Sequence, residues 1–312
     1  MSLQEKILII DGNALIHRAY HALPDFKSKD GVPTNAVYGF ASVLLKVQSD
    51  ILPTHILVCF DTPEPTFRDE LFTEYRTQRP QTDENLIKQF PMVDAFLESA
   101  GIPYYKKPGF EADDLIAVAT KGAREHGMNV VILTGDKDIF QLVTDHVCVL
   151  TPAIGFSQGK LYDPDAVTEK FGIPPESIPD YKALAGDPSD NYRGVKGIGP
   201  KSAVALLKQF GSVENVYERI DDVTNERVQS LLRTDKEHAL LSKKLAMLVD
   251  TIDDYEIDID GSVFNHYNES LRDFFDLYEF RTLEKRFFPM KRPEKKMQLP
   301  PEASTVDQPG LF

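Results

Sequence analysis

Four short runs constrain the fold more than any other feature: KILII at 6–10, HILVCF at 55–60, IPYY at 102–105 and VVILT at 130–134. Each is strand-length and almost wholly apolar, so both faces must be covered, as in the strands of a parallel sheet. Helical patterns lie between them. Val37, Phe40, Ala41, Leu44 and Leu45 recur at helical spacing, and Leu115, Ile116, Ala119 and Ala123 do so later. This alternation predicts an α/β unit with a mostly parallel central sheet and helices on both faces. After HVCVLTP (146–152) the strand signals fade, and helical patterns run from DPDAVTEKF at 163 through KSAVALLKQF at 201 to KEHALLSKKLAML at 236. The expected organisation is an α/β domain over 1–175, a helical region over 176–290 and a polar, Pro-rich disordered tail over 291–312.

Composition removes several function classes. No apolar run approaches a membrane span and the N-terminus lacks a signal-peptide pattern, which predicts a cytoplasmic protein with no membrane partner. Cys59 and Cys148 sit inside apolar runs without CxxC or Cys/His spacing and read as buried thiols. The seven histidines form no HExxH-like pair, so zinc is not indicated. The net charge of −14 is an argument against a nonspecific nucleic-acid binder, whose footprint is usually basic.

The acids answer that objection by their placement. Asp11 follows LII, Asp61 follows LVCF, and Asp136 and Asp138 follow VVILT. In a parallel sheet all carboxyl ends share one edge, where open α/β folds build their sites. GFEADDLIA (109–117) adds Glu111, Asp113 and Asp114 at the start of a helix facing the same edge. Helix N-termini favour carboxylates, but so many together repel one another unless a cation joins them. Oxygen-only ligands indicate Mg²⁺ or Mn²⁺. For any one acid a helix cap or solvated loop charge is the better reading, and Asp83 reads as such a cap; for the whole set it is a poor one.

Two further segments carry chemistry. In GDPSDNYRGVKGIGPKSA (186–203), Asp187 and Asp190 precede a glycine hairpin of Gly194, Gly197 and Gly199 that opens a helix at Pro200. Its backbone N–H groups, with Lys196 and Lys201, suit a phosphate backbone without reading bases. PTFRDELFTEYRTQRP (65–80) places Phe67 and Tyr75 for stacking and Arg68, Arg76 and Arg79 for phosphates; the bland alternative is a solvated basic segment.

In order along the chain, ILIIDGNALIHRAYHAL, FDTPEPTFRDELF, YRTQRP, GFEADDLIA, LTGDKDIFQLV, GDPSDN and GVKGIGPKSA closely resemble the 5′-nuclease family, specifically the 5′→3′ exonuclease domain of bacterial DNA polymerase I and its flap-endonuclease relatives. The resemblance implies a PIN/resolvase-like fold and a metal-dependent phosphodiesterase acting on branched or nicked DNA with a 5′ flap and on RNA–DNA primer junctions. It assigns Asp11, Asp61, Glu111, Asp113, Asp114, Asp136, Asp138, Asp187 and Asp190 to a centre of two Mg²⁺ or Mn²⁺ ions, with Asp11, Asp61, Arg76, Arg79 and Asp136 in catalysis. It makes 65–100 an arch for the 5′ strand and 186–210 a helix-three-turn-helix that grips duplex with a K⁺ ion. Implied DNA contacts are Arg18, Phe67, Arg68, Tyr75, Arg76, Arg79, Gly194, Lys196, Gly197, Gly199, Lys201 and Ser202. Two such cations activate a water and stabilise the leaving oxygen, so no Ser or His nucleophile is needed.

This chain departs from the family at two places. Arg76 stands where Lys usually follows the arch Tyr, and Arg cannot deprotonate, so it can serve only as an electrostatic clamp. Tyr192 and Arg193 stand where an apolar residue and Pro are common. No polymerase follows, which leaves a stand-alone enzyme or an excised domain, expected to be a monomer associated with the nucleoid. The closing QPGLF resembles the peptide by which bacterial proteins bind the replication sliding clamp, through Gln308, Leu311 and Phe312. A DNA-binding scaffold that has lost cleavage and a nuclease for structured RNA are the rival readings.

Overall fold

The computed structural model describes residues 5–152 and 159–289; the expected tail at 291–312, with Gln308, Leu311 and Phe312, lies outside them. Six strands form one sheet: β1 (Lys6–Asp11), β2 (His55–Phe60), β3 (Tyr104–Lys106), β4 (Asn129–Leu133), β5 (Val147–Thr151) and β6 (Lys160–Tyr162). Their spatial order is β3-β2-β1-β4-β5-β6, parallel throughout except for antiparallel β6. β6 has too little apolar patterning to be read from sequence.

β1 explains the unalternating apolar runs. Ile7 and Ile9 join the core on one face, Leu8 and Ile10 the core on the other, and all four are fully buried. Each such burial contributes about 1.5–3 kcal/mol. Helices Asn35–Ile51 and Phe90–Ala100 cover one face, while Ala112–Glu125 and the helical region cover the other.

The connection order places the site. From β1 the chain builds outward through β2 to β3, then returns to β1's other side with β4 and β5. The switch therefore falls between β1 and β4, and a crevice opens at their carboxyl ends. Asp11 pairs in register with Cys59, and Ile10 with Leu133, so Asp61 and Asp136 project just past the same edge as Asp11. Gly12 lets the next helix begin at once, because a Cβ there would lie 2.2 Å from the Phe60 ring.

Several expectations need correction. The arch cannot extend to 100: Met92, Val93, Phe96, Leu97 and Ala100 of helix Phe90–Ala100 are buried in the core. Nor is 176–290 one helical unit. After helix Lys236–Ala246 the chain returns to the α/β unit, where the Phe264 amide donates to the Thr54 carbonyl at 2.8 Å and helices Ser270–Leu277 and Arg281–Phe287 pack on the Asn35–Ile51 side. In TIDDYEIDID the acids are exposed, as a solvated face requires, while Ile252, Ile257 and Ile259 alternate with them into the core. Cys59 is buried, but Cys148 is only partly so. Among the described residues no helix is long and apolar enough to cross a membrane.

Candidate active site

Local geometry aims each carboxylate. Asp11 caps helix Gly12–Ala22, its Oδ1 accepting from the Ala14 amide at 2.9 Å and its Oδ2 from the Thr134 hydroxyl at 2.7 Å. The same hydroxyl accepts from the Asp136 amide at 2.9 Å, so Thr134 ties the ends of β1 and β4 together. Asp61 accepts from the Ala112 amide at 2.7 Å, docking the start of helix Ala112–Glu125 against the end of β2. Asp11, Asp61, Asp113 and Asp136 then line one cleft of about 490 Å³, with His17, Arg76 and Arg79 across it.

Burial, more than any neighbouring charge, sets the ionisation of these acids. Burial, followed by the negative charges of Asp61 and Asp136, pushes the Asp11 carboxyl up to about 7 against the pull of its hydrogen bonds. Burial and the neighbouring Asp136 and Asp11 hold Asp113 well above the usual carboxylate range. Asp136 is also raised, chiefly by burial. Glu111 is pushed up to about 7 by burial although Arg76 and Arg68 draw it down. A crowded, oxygen-only donor set that resists ionising fits a hard divalent cation, which would remove the cost of bringing these charges together.

A second group is built differently. Asp138, Asp187 and Asp190 present oxygens all within 4.8 Å of one another. Here the protein supplies its own cations: the Lys182 ammonium bonds both Asp138 and Asp187, and Asp190 pairs with Arg76 and Arg79. Burial would raise Asp187, but Lys182 and Ser189 outweigh it and hold the carboxyl below its usual range; Arg76 and Arg79 do the same for Asp190. Lys182 escaped the sequence reading. A lone Lys in the apolar run of Ile178, Pro179, Ala183 and Leu184, all buried, is the signal that could have found it.

Three expected roles are overturned by burial. Asp114 is fully buried, and its oxygens take Arg68 Nη1 and Nη2 at 2.7 and 2.8 Å and the Val249 amide at 3.0 Å. It is a structural anchor here, not a ligand facing the cleft. Arg68, 1% exposed, also donates to the Leu245 and Met247 carbonyls, so its guanidinium pins the base of the 65–80 segment and cannot meet phosphate. Tyr75 is stacked on Tyr192 and its hydroxyl donates toward Glu111 and Asp190, leaving no open ring face for a base. Phe67 is half-buried against Phe110. Arg76 keeps a cleft position, bonded to Glu111 at 2.6 Å, on a left-handed backbone (φ 54°). Arg79 is exposed, and Arg18 is half-buried on helix Gly12–Ala22.

The hairpin at 186–199 joins helix Ile178–Ala185 to helix Pro200–Phe210. Lys196, Gly197, Gly199 and Lys201 are exposed, and Ser202 is partly so. Gly194 is not: it is buried where a Cβ would meet the Leu184 carbonyl at 2.4 Å, so its lack of a side chain serves helix packing rather than phosphate approach. Asp235, also unforeseen, accepts the Lys196 amide at 2.8 Å and steadies the hairpin.

Comparison with known proteins decides the family. Residues 6–172 match the 5′-3′ exonuclease N-terminal resolvase-like domain, and 173–270 match the 5′-3′ exonuclease C-terminal SAM fold. The chain belongs to the 5′-3′ exonuclease family. DNA polymerase I of Bacillus caldotenax is 45% identical over 79% of this chain and 28% of its own length. That of Bacillus subtilis is 41% identical over 92% of this chain and 32% of its own. The chain thus spans about a third of the length of these relatives. Among solved structures, a bacteriophage T5 5′-exonuclease with bound divalent metal ions (zinc) superposes with a TM-score of 0.65 at 24% identity, covering 88% of this chain and 99% of that one. The catalytic core of Rad2 with DNA substrate gives 0.61 at 19%, covering 92% and 93%. At such identities these likenesses establish the shared fold.

Proposed function

We propose that the chain is a divalent-metal-dependent 5′→3′ exonuclease and structure-specific 5′ flap endonuclease, cutting branched or nicked DNA and RNA primers. The observation that carries this reading is the convergence of Asp11, Asp61, Asp113 and Asp136 on one cleft at the β1/β4 switch, in a chain of this family. Mg²⁺ or Mn²⁺, two ions in all, would supply charge against the scissile phosphate and activate the attacking water. Asp11, Asp61, Asp113 and Asp136 would hold the first ion, with Glu111 beside them; Asp138, Asp187 and Asp190 would face the second.

The chain's own side chains do the rest. Arg76 and Arg79, which now bond Glu111 and Asp190, would exchange those partners for phosphate oxygens and hold the 5′ strand against the cleft. Lys196, Gly197, Gly199, Lys201 and Ser202 would grip the duplex backbone, with a K⁺ ion at the hairpin, setting how far from the junction the strand is cut. On this reading the α/β unit is catalytic, and 178–246 is the duplex-binding part. A cytoplasmic, nucleoid-associated monomer is the corresponding state in the cell. The closing QPGLF would tether the enzyme to the sliding clamp, raising its effective concentration at nicks; unchanged clamp pull-down after deleting 308–312 would end that idea.

The test is cleavage of a 5′-labelled flap duplex, a nicked duplex, a single strand and a structured RNA, each with Mg²⁺ or EDTA, beside Asp136→Asn. The expected result is Mg²⁺-dependent cutting near the flap junction, lost in the variant. Flap binding without cutting would favour a scaffold, and preference for the RNA a structured-RNA nuclease.

A further inference from the structure

The two halves of the carboxylate cluster differ in a way the nuclease reading alone does not require. At one half, Asp11, Asp61, Asp113 and Asp136 line one cleft, and the hydrogen bonds that Asp11 accepts come from uncharged donors, the Ala14 amide and the Thr134 hydroxyl. At the other, a buried ammonium already bridges Asp138 and Asp187. Oxygens that share one Mg²⁺ at about 2.0–2.1 Å each lie no more than roughly 4.2 Å apart, and Ca²⁺-length bonds stretch this to nearly 5 Å. The Asp138, Asp187 and Asp190 oxygens, within 4.8 Å of one another, fall inside the longer limit and reach the shorter one with a shift of about 0.6 Å, and Lys182 Nζ bonds two of these three carboxylates, Asp138 and Asp187.

Lys182 is held there by the fold. It lies on helix Ile178–Ala185, whose Ala183 and Leu184 are fully buried, and its side chain is only 11% exposed. Beside it a cleft of about 320 Å³, lined by Asp136, Lys137, Tyr181, Gly186, Asp187 and Ser189, leaves room for the chain to swing aside.

We propose that Lys182 is a built-in counter-ion that closes the Asp138–Asp187–Asp190 half-site in the DNA-free protein, so that this half admits a divalent cation only when the ammonium is displaced. The proposal rests on the metal-dependent reading above and makes Lys182 a positioning residue. The two half-sites then fill in a set order: the Asp11–Asp113–Asp136 half first, and the Lys182-guarded half weakly until its ammonium leaves. Lys182 keeps Asp138 and Asp187 tolerable as neighbours while no cation is bound, and Arg76 and Arg79 do the same for Asp190.

Calorimetric titration of Mn²⁺ into the DNA-free protein tests this. Wild type should show one tight step and a second that is at least about tenfold weaker, and Lys182→Gln should tighten chiefly the second step, by about tenfold or more, as removal of a like charge within about 4 Å demands. Lys182→Arg should stay weak, and adding Asp138→Asn to Lys182→Gln should abolish the gain. Melting supplies an independent readout: Lys182→Gln should lower the metal-free Tm and gain more from Mn²⁺ than wild type does. An unchanged second step, or a Gln variant that stays unfolded at every Mn²⁺ concentration, overturns the proposal. Wild type that neither binds Mn²⁺ nor cuts a flap would instead sink the nuclease reading itself, whereas wild type that does both beside an unaltered Gln variant would sink only this inference.

Discussion

Replacing Asp114 by Asn separates a structural acid from Asp113, the adjacent acid proposed to hold metal in the same family motif. In the native protein the Arg68 guanidinium is 1% exposed, and Asp114 accepts both of its terminal nitrogens, the Glu111 amide at 3.2 Å and the Val249 amide at 3.0 Å. Asn keeps the shape but removes the charge and turns an N–H₂ toward one of those donors. The buried guanidinium then lacks a counter-charge, and breaking such a pair from one side costs about 3–5 kcal/mol. For a protein of this size that lowers Tm by roughly 6–15 °C. The companion change, Asp113→Asn, removes a buried acid repelled by Asp136 and Asp11, and should raise the metal-free Tm. Melting each protein with EDTA and with Mg²⁺ gives the contrast: Asp114→Asn starts low but keeps the wild-type upward shift with Mg²⁺, while Asp113→Asn starts high and loses it. If Asp114→Asn melts like wild type in EDTA and loses the Mg²⁺ shift, Asp114 is a ligand and the anchoring argument is wrong.

Further outcomes follow from the same geometry. Folded Asp11 and Glu111 keep their protons to about pH 7, whereas the unfolded chain releases them near 4, so metal-free stability should fall as pH rises through that window and level off above it. A melting series from pH 5 to 8 in EDTA that rises instead refutes this, and Asp11→Asn should flatten the slope. Gly194→Ala forces a Cβ to 2.4 Å from the Leu184 carbonyl and should destabilise by about 1–3 kcal/mol in urea. Gly199→Ala meets nothing within 4 Å and should leave the urea midpoint unchanged. Lys196→Ala and Lys201→Ala should each weaken flap binding and reduce the salt slope by about one, measured by fluorescence anisotropy.

The acids at the strand ends were legible because a parallel sheet is a local pattern with a global consequence: wherever LII, LVCF and VVILT form strands, Asp11, Asp61 and Asp136 must share an edge. The hairpin's exposed Lys196, Gly197 and Gly199, and the helix that opens at Pro200, were legible for the same reason, since turn chemistry is written within a few residues. What stayed hidden was which carboxylate each cation would meet. Arg68 finds Asp114 across 46 positions and the Leu245 carbonyl across 177, and Lys182 finds Asp138 across 44. No periodicity encodes such pairings; they exist only once two faces of the fold close on each other and water is excluded. The arginine segment at 65–80 therefore read as one row of clamps, although burial had divided it into an anchor at Arg68, a packed ring at Tyr75 and an exposed guanidinium at Arg79 paired with Asp190. Residue types and strand order decided where chemistry could occur, while tertiary closure decided which ion pairs were sealed in the core and which stayed at the cleft, because a paired charge can change partners only where solvent or substrate reaches it.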